Sequence, residues 1–243
     1  MIIDAHQHLG VCDHFLLTNK KEQVLHANKK AKIDKCLMMP FPGSPDPFKE
    51  HDNISKMGDR AGGKVFGITA INPIKYGDRR ALEEIERTVK SLSFRCVKIH
   101  TIAWGLFPFS PLAMKMIEKA QELNVPVMVH TGGSLFANPV HVDAVASKFP
   151  DVKFVLAHMG WIHQAPEAID VARRNQNVYL ETSWSAGYDI RGAIDAIGED
   201  RVMMGSDLPD NTTSEIEKIR SLGLTGSQER KVLAENAARV FRI

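Results

Sequence analysis

Short runs of apolar and β-branched residues alternate along this chain with longer segments in which apolar residues recur at helical spacing. This alternation is typical of a parallel sheet that is built from βαβ units. It predicts eight strands, at residues 1–8, 34–40, 64–72, 95–100, 125–131, 152–158, 177–182 and 201–207. Several of these runs are almost continuously apolar, as expected for strands that are covered on both faces.

The segments between the predicted strands carry helix signals. Leu82, Ile85 and Val89 recur at helical spacing. Capping signals that begin helices occur at Ser110-Pro111, at Asn138-Pro139, at Thr212 with Glu215, and at Thr225 with Gln228. Residues 39–63 contain four prolines and are expected to form a rim loop and a short helix. At least one helix follows the last predicted strand.

The number of strands constrains the architecture. Eight strands in 243 residues leave roughly 30 residues for each unit, which is about the size of one βα unit. An open doubly wound sheet is the alternative, but no glycine-rich G-x-G-x-x-G turn follows the first strand. The sequence therefore predicts an α/β protein of the (β/α)8 TIM-barrel class, with a single domain over residues 1–243 and a C-terminal helix.

Composition and charge narrow the range of partners and compartments. The net charge is only +2 and no dense basic block occurs, so neither nucleic acid nor an anionic membrane is an expected partner. Cys12, Cys36 and Cys96 are odd in number and far apart, which argues against a disulfide framework. The first residues lack the pattern of a secretory signal. We expect a cytoplasmic protein that acts on a small molecule, and a homo-oligomer stays open.

Histidines gather where predicted strands end. The residues that share this position are His6, His8, His100, His130 and His158, and Asp207 ends the eighth strand. In a βα barrel the C-terminal ends of the strands surround one mouth, so these distant residues would converge there.

His6 and His8 are two residues apart, which in a strand directs both imidazoles to the same face. Such a pair can chelate one cation, and neutral imidazole is a suitable ligand for zinc. His130 and Asp207 would complete a set of three nitrogens and one oxygen. The alternatives are structural: a lone histidine at a strand end is more often hydrogen bonded, and Asp207 could cap a helix before Pro209.

The chain resembles the amidohydrolase superfamily, and within it the amidohydrolase-2 group of metal-dependent TIM-barrel hydrolases and decarboxylases. The resemblance spans essentially the whole chain and depends on an ordered set of motifs rather than on any one of them. These motifs are IDAHQH, CVKIHT, VPVMVHTGG, FVLAHMG, NVYLETS, RVMMGSDLP and AENAARVFRI.

The resemblance implies a ligand set and a catalytic pair. His6, His8, His130 and Asp207 would bind a divalent metal, with zinc favoured and manganese as the alternative. His158 and Asp207 would be the catalytic residues. Some members of the superfamily bridge two metals with a carboxylated lysine, and Lys98 is the candidate for that role here. One ion is favoured over two.

The implied activity is hydrolysis of a small-molecule amide, ester or lactone by metal-activated water. The alternative is non-oxidative decarboxylation of an unsaturated or aromatic acid at the same site. Lys98, His100, Trp104 and Trp184 are candidate substrate-binding residues. A related metal-dependent deoxyribonuclease and a noncatalytic metal-binding scaffold are less favoured, the first because its acidic GEIG-like strand is absent. The second is disfavoured because unused buried polar groups would cost stability.

Overall fold

The computed structural model describes residues 1–243, with the side chain of Ile162 outside the description. The strands are β1 (Ile3–Cys12), β2 (Leu17–Asn19), β3 (Lys35–Pro40), β4 (Val65–Ala70), β5 (Cys96–Ile99), β6 (Val127–His130), β7 (Phe154–Ala157), β8 (Val178–Glu181) and β9 (Val202–Met203). All nine belong to one sheet, and every one of the eight predicted strands is present in it.

Twelve α-helical segments connect or follow these strands. They are α1 (Lys21–Ala31), α2 (Pro47–Arg60), α3 (Pro73–Tyr76), α4 (Asp78–Ser91), α5 (Thr101–Trp104), α6 (Pro111–Glu122), α7 (Val140–Lys148), α8 (Trp161–Arg174), α9 (Gly187–Ile197), α10 (Thr212–Arg220), α11 (Gly226–Arg230) and α12 (Asn236–Phe241). A π-helical turn, Lys231–Glu235, joins α11 to α12. Within the described chain, no helix combines the length and the apolar character that crossing a bilayer requires.

The sheet curls into a closed barrel. Strand β1 pairs in parallel with β3, and the parallel pairing continues from strand to strand as far as β9. Backbone hydrogen bonds then join the segment after β9 to β1, from Ala5 N to Met204 O (3.1 Å) and from Asp207 N to His6 O (2.7 Å). These bonds complete the eight-stranded parallel barrel that the alternating pattern predicts, and the TIM-barrel prediction is confirmed.

The barrel interior is apolar over most of its depth. Each parallel strand contributes buried side chains to it, such as Ile3, Leu37 and Met128. Val240 and Phe241 of α12 pack into the same cluster. Because α12 covers this end of the cluster, the barrel floor is closed and the polar residues at the strand ends lie at the opposite, open mouth.

Several helix boundaries follow the capping signals in the sequence. The side chain of Ser110 caps α6 with Pro111 in its first turn, and Thr225 with Gln228 forms the capping box of α11. The box predicted at Thr212 is wrong, because Thr212 is the first residue of α10 and Asn211 precedes it as the cap.

The helix predicted as short in residues 39–63 is in fact the 14-residue α2. Its proline lies at the N-terminus, where the missing N–H costs nothing, so the helix continues to Arg60.

One strand was not predicted. Strand β2 folds back antiparallel on the end of β1, pairing Gly10 with Asn19 and Cys12 with Leu17. The resulting hairpin, residues 10–19, extends β1 beyond the barrel wall. It therefore stands over the mouth, where it contributes side chains to the pocket described below.

Candidate metal centre and pocket

The strand ends bring the predicted site residues to one place. His6 and His8 lie in β1, and His130 ends β6. His158 directly follows β7, and Asp207 lies beyond β9, beside β1. The four histidines are buried, and the side chain of Asp207 is largely buried.

A register irregularity in β1 directs its histidines toward the site. Pairing with β3 shifts between Asp4 and Gln7, which is the signature of a bulge. The Asp4 carboxylate anchors this segment by accepting hydrogen bonds from Ser206 Oγ (2.6 Å), Ser206 N (3.0 Å) and His6 N (3.1 Å). Burial raises the pKa of Asp4 to about 7. The bulge lets β1 fill the core with Ile3 and still direct His6 into the mouth.

Three potential ligand atoms face one another at the bottom of the mouth. Nε2 of His6 and Nε2 of His8 are 3.2 Å apart. Each of these nitrogens also lies 3.3 Å from Oδ1 of Asp207. Burial opposes ionisation of Asp207, but the neighbouring imidazoles of His6, His8 and His158 act in the opposite direction and hold its pKa well below the ordinary value.

The partners of the opposite ring nitrogens decide what these atoms can do. His6 Nδ1 lies 2.9 Å from Glu181 Oε2, and His8 Nδ1 lies 3.2 Å from the Pro40 carbonyl oxygen. A carbonyl only accepts, and Glu181 already accepts from Ser183, so each Nδ1 carries the hydrogen. In the neutral rings the Nε2 atoms of His6 and His8 then carry lone pairs. These two lone pairs converge with Oδ1 of Asp207, and a cation would stabilise that arrangement.

His130 supplies a fourth acceptor. Its Nδ1 lies 3.2 Å from Nε2 of His158, whose own Nδ1 contacts Ser183 Oγ at 2.7 Å. Ser183 donates its hydroxyl hydrogen to Glu181, so the chain of donors runs from His130 through His158 and Ser183 to Glu181. Nε2 of His130 is then a buried lone pair without a hydrogen-bond partner among the described residues.

These observations fit a bound divalent metal. The clustered imidazoles of His6 and His8 and the carboxylate of Asp207 suit a divalent metal, and Nε2 of His130, unpartnered within the described part of the chain, faces the same mouth. His6, His8 and Asp207 place their ligand atoms within 4.8 Å of one another. His6, His158 and Glu181 form a second cluster of this size, but hydrogen bonds already join the members of that cluster.

Lys98 lies on the inner side of the same centre. Its ammonium is buried and lies 3.3 Å from His6 Nε2. Burial lowers its pKa, while the charges of Asp207 and Glu181 act in the opposite direction. The buried charge of Lys98 is therefore offset by two carboxylates rather than by solvent.

Above the ligand atoms lies a pocket of about 320 Å³. Its polar lining consists of His8, His100, His130, His158 and Asp207. Its apolar lining includes Phe15, Leu17, Phe41, Ile102, Trp161 and Trp184. No lysine or arginine of the described chain lines it. The walls suit a planar apolar body, and the polar groups collect at the metal end.

The candidate substrate residues fall into two groups. His100 and Trp184 line the pocket, and the His100 ring stacks on His130 with centroids 4.2 Å apart. Lys98 and Trp104 are not among the lining residues. Trp104 is buried behind the wall and donates its indole N–H to the Pro42 carbonyl at 3.0 Å. This position suits a residue that braces the rim.

Three residues of the site have unusual backbone geometry. The φ angles of His158, Trp184 and Asp207 are 67°, 63° and 68°, a region that residues other than glycine seldom adopt. Each follows a strand and turns its side chain back over the mouth. Such local strain persists only where surrounding contacts impose it, and it is concentrated at functional sites.

Sequence reasoning missed several residues that shape the site. Ser183 orients His158, and Phe15 and Leu17 reach the pocket from the hairpin of residues 10–19. The ETS segment at the end of β8 was the available signal for Ser183. Gly205 is another residue that sequence reasoning missed. A Cβ at this position would lie 2.5 Å from Glu181 Oε1, so only glycine leaves room for that carboxylate.

Comparison with solved structures supports the fold. The 2,6-dihydroxybenzoate decarboxylase from Rhizobium superposes with a TM-score of 0.77 at 15% identity, covering 99% of this chain and 98% of that chain. The 5-carboxyvanillate decarboxylase from Novosphingobium aromaticivorans, complexed with manganese, has a TM-score of 0.78 at 14% identity and coverages of 100% and 96%. An uncharacterised TIM-barrel protein from Bordetella bronchiseptica has a TM-score of 0.81 at 18% identity and coverages of 99% and 98%.

A comparison with the curated proteins finds no match. The family model Amidohydrolase (Amidohydro_2) matches residues 42–243, which is most of the chain. The match runs from before β4 to the C-terminal residue and so includes six of the seven motifs on which the resemblance depended; only IDAHQH of β1 lies outside it. The chain therefore belongs to the amidohydrolase family and is an enzyme of that family.

Proposed function

We propose that this enzyme is a divalent-metal-dependent hydrolase that cleaves an amide, ester or lactone bond in a small molecule. The ligands are His6, His8, His130 and Asp207. The observation that carries the proposal is the convergence of His6 Nε2, His8 Nε2 and Asp207 Oδ1, separated by 3.2 to 3.3 Å, at the bottom of the pocket.

A divalent metal held there would act as a Lewis acid and would lower the pKa of a water molecule toward neutrality. Asp207 is suited to take the proton from that water. It is ionised, because its histidine neighbours hold its pKa well below the ordinary value even though burial opposes ionisation. Its Oδ1 points to the ligand atoms, which is the position that a general base needs.

His158 is suited to take up a proton during the reaction, because with Nδ1–H donated to Ser183 its Nε2 carries a lone pair. It lines the pocket, and its ring centroid is 5.1 Å from that of His6. Ser183 and Glu181 hold the ring through Nδ1, so that Nε2 is directed away from them. In the absence of substrate, His130 donates to that nitrogen, and a bound substrate would have to displace this contact.

Decarboxylation of an aromatic acid is the second candidate. The observation that favours it is the apolar, aromatic lining, because removing a carboxylate from water promotes loss of carbon dioxide. Solved structures of similar fold are decarboxylases of 2,6-dihydroxybenzoate and 5-carboxyvanillate. In that reaction Asp207 or His158 would first take a proton from water and then deliver it to the ring carbon, where the new C–H bond replaces the bond to the departing carbon dioxide.

The remaining properties follow from the donor set and the cysteines. Three imidazole ligands favour zinc, whereas related structures contain manganese. One ion is proposed, because His6, His8 and Asp207 form one cluster of ligand atoms, whereas the second cluster, His6 with His158 and Glu181, is joined by hydrogen bonds. Three buried free cysteines support a reducing, cytoplasmic environment. We propose that residues 1–243 form one domain that acts on a small molecule, with neither nucleic acid nor a membrane as a partner.

Metal analysis followed by product analysis tests the proposal. Protein purified and then incubated with zinc or manganese should contain about one ion per chain. Esters, lactones, amides and aromatic acids are then supplied in ¹⁸O-labelled water. Incorporation of ¹⁸O into a carboxylate product supports hydrolysis, and release of carbon dioxide supports decarboxylation. A protein that binds neither ion contradicts both reactions.

A further inference from the structure

The two carboxylate oxygens of Asp207 have different partners. Oδ1 faces His6 Nε2 and His8 Nε2, each at 3.3 Å. Oδ2 instead accepts a hydrogen bond from the indole Nε1–H of Trp184 at 2.8 Å. One oxygen is therefore directed at the ligand atoms, and the other is already bound to a neutral donor that holds the plane of the carboxylate.

The indole that makes this bond is itself fixed. Trp184 N donates to Glu215 Oε1 at 2.9 Å. Glu215 lies on the buried face of α10 and also accepts from Lys218 (2.7 Å) and Asn211 (2.9 Å). These bonds supply the contacts that keep Trp184 at a φ of 63°.

We propose that Trp184 is a positioning residue for the metal ligand Asp207, an inference that depends on the metal site of the proposed function. By occupying Oδ2, the indole leaves only Oδ1 for the metal and makes Asp207 a monodentate ligand. A monodentate carboxylate leaves a coordination position open for water or substrate, which a catalytic site requires. Partners of this kind also fix the orientation of the ligand before the metal binds.

This role differs from that of a pocket wall. Trp184 lines the pocket and is 38% exposed, so its ring also contacts whatever binds there. A wall residue acts through its ring face and would change substrate binding alone. The hydrogen bond acts through one N–H group, so it changes metal binding in the absence of any substrate.

The experiment compares Trp184→Phe with Trp161→Phe. Both changes keep an aromatic ring on the pocket wall, and Trp161, 39% exposed, makes no described bond to Asp207. The dissociation constant for Zn²⁺ is measured in competition with a chromogenic chelator, without substrate. We expect the constant to rise about 10- to 100-fold in Trp184→Phe and to change less than threefold in Trp161→Phe.

The visible absorption of the Co²⁺-loaded proteins supplies a second readout. Freeing Oδ2 lets Asp207 bind through both oxygens, so the higher coordination number should weaken the absorption bands of Trp184→Phe. Thermal unfolding of the metal-free proteins shows whether each variant is folded. If Trp184→Phe does not fold, the tryptophan emission of the Trp161→Phe protein decides, because Zn²⁺ binding at Asp207 should change the emission of Trp184.

The outcomes separate this inference from the proposed function. Equal Zn²⁺ affinities and equal Co²⁺ spectra in folded wild-type and Trp184→Phe proteins would overturn the positioning role and leave the metal site intact. Unchanged emission of Trp161→Phe protein at saturating Zn²⁺ would overturn it as well. Wild-type protein that binds neither Zn²⁺ nor Co²⁺ would overturn the metal site itself.

Discussion

The Ser183 hydroxyl sets the direction of the His158 ring. It accepts from His158 Nδ1 at 2.7 Å and donates to Glu181 Oε2 at 2.9 Å. The pKa of His158 lies well below its ordinary value. Burial is the main cause and the charge of Lys98 adds to it, while Asp207 acts in the opposite direction, so the ring is neutral. A neutral ring has one N–H, and Ser183 determines which nitrogen carries it.

Ser183→Ala removes that determinant. We expect kcat to fall about 10- to 100-fold while metal content stays near one ion per chain, because the change leaves every ligand in place. Ser185→Ala is the matched control, since Ser185 Oγ donates to the His158 carbonyl at 2.9 Å and does not touch the ring. Steady-state kinetics and metal analysis check this, and a Ser183→Ala protein with normal kcat contradicts the orienting role.

Much of the site could be predicted at the scale of single residues. The identity of His6, His8 and Asp207 followed from strand ends, because a barrel brings those ends together. The partners of each atom could not be predicted. The hydrogen bond from Trp184 to Asp207 depends on two residues with positive φ, and no pattern of side chains in the sequence encodes backbone strain.

At the scale of elements, the hairpin of residues 10–19 supplies the part of the mouth that lies outside the parallel strands of the barrel. It projects beyond the sheet, with Phe15 and Leu17 turned toward the pocket and Leu16 90% exposed. Such loops carry specificity on a barrel, while the strands fix the chemistry. The hairpin was missed because its outer strand has three residues, too few for an alternating pattern to be recognised.

Phe15→Ala tests whether the hairpin contributes to substrate binding. We expect KM to rise about five- to thirtyfold with kcat within a factor of two, because loss of a partly buried aromatic ring removes about 1 to 2 kcal/mol of contact. Leu16→Ala, on the same hairpin but facing solvent, should leave KM unchanged. Initial rates measured over a range of substrate concentrations give KM and kcat for each variant. A fall in kcat alone would show that Phe15 acts on the reacting groups instead.

The long β strands and helices were predictable for a different reason. Their apolar runs are covered on both faces, so tertiary packing agrees with the local pattern. Boundaries were less predictable. Thr212 has the spacing of a capping box, but its side chain is buried and its hydroxyl contacts Ser206 Oγ at 3.3 Å, so the tertiary contact outweighs the local one.

At the scale of the whole molecule, folding buries several imidazoles in the barrel mouth in their neutral form. The pKa of each of four histidines lies well below the ordinary value, mainly because of burial and also because of neighbouring charges. These residues are His6, His100, His130 and His158. Burial acts in the opposite sense on two carboxyl groups, raising the pKa of Glu181 and that of Asp4, the latter to about 7. Folding therefore changes the proton affinity of these six groups, in addition to that of Lys98 and Asp207.

The sign of the pH dependence follows from these shifts. As pH falls below about 6.5, the ordinary imidazole pKa, the unfolded chain takes up four protons that the native imidazoles do not bind. This difference lowers the free energy of unfolding. The two carboxyl groups oppose this, because the native chain keeps protons that the unfolded chain has lost. A net difference of about two protons lowers the free energy of unfolding by about 3 kcal/mol per pH unit between pH 6 and 5.

Urea denaturation of the chelator-treated protein at pH 7, 6 and 5 measures this slope. Zinc should make it steeper, because the metal binds only native chains whose imidazoles are deprotonated, and each decade of excess over the dissociation constant adds about 1.4 kcal/mol at pH 7. Most of that increment should be lost at pH 5. A metal-free protein that is as stable at pH 5 as at pH 7 would show that the histidines are already charged in the folded barrel, and a charged cluster could not present four lone pairs to a cation.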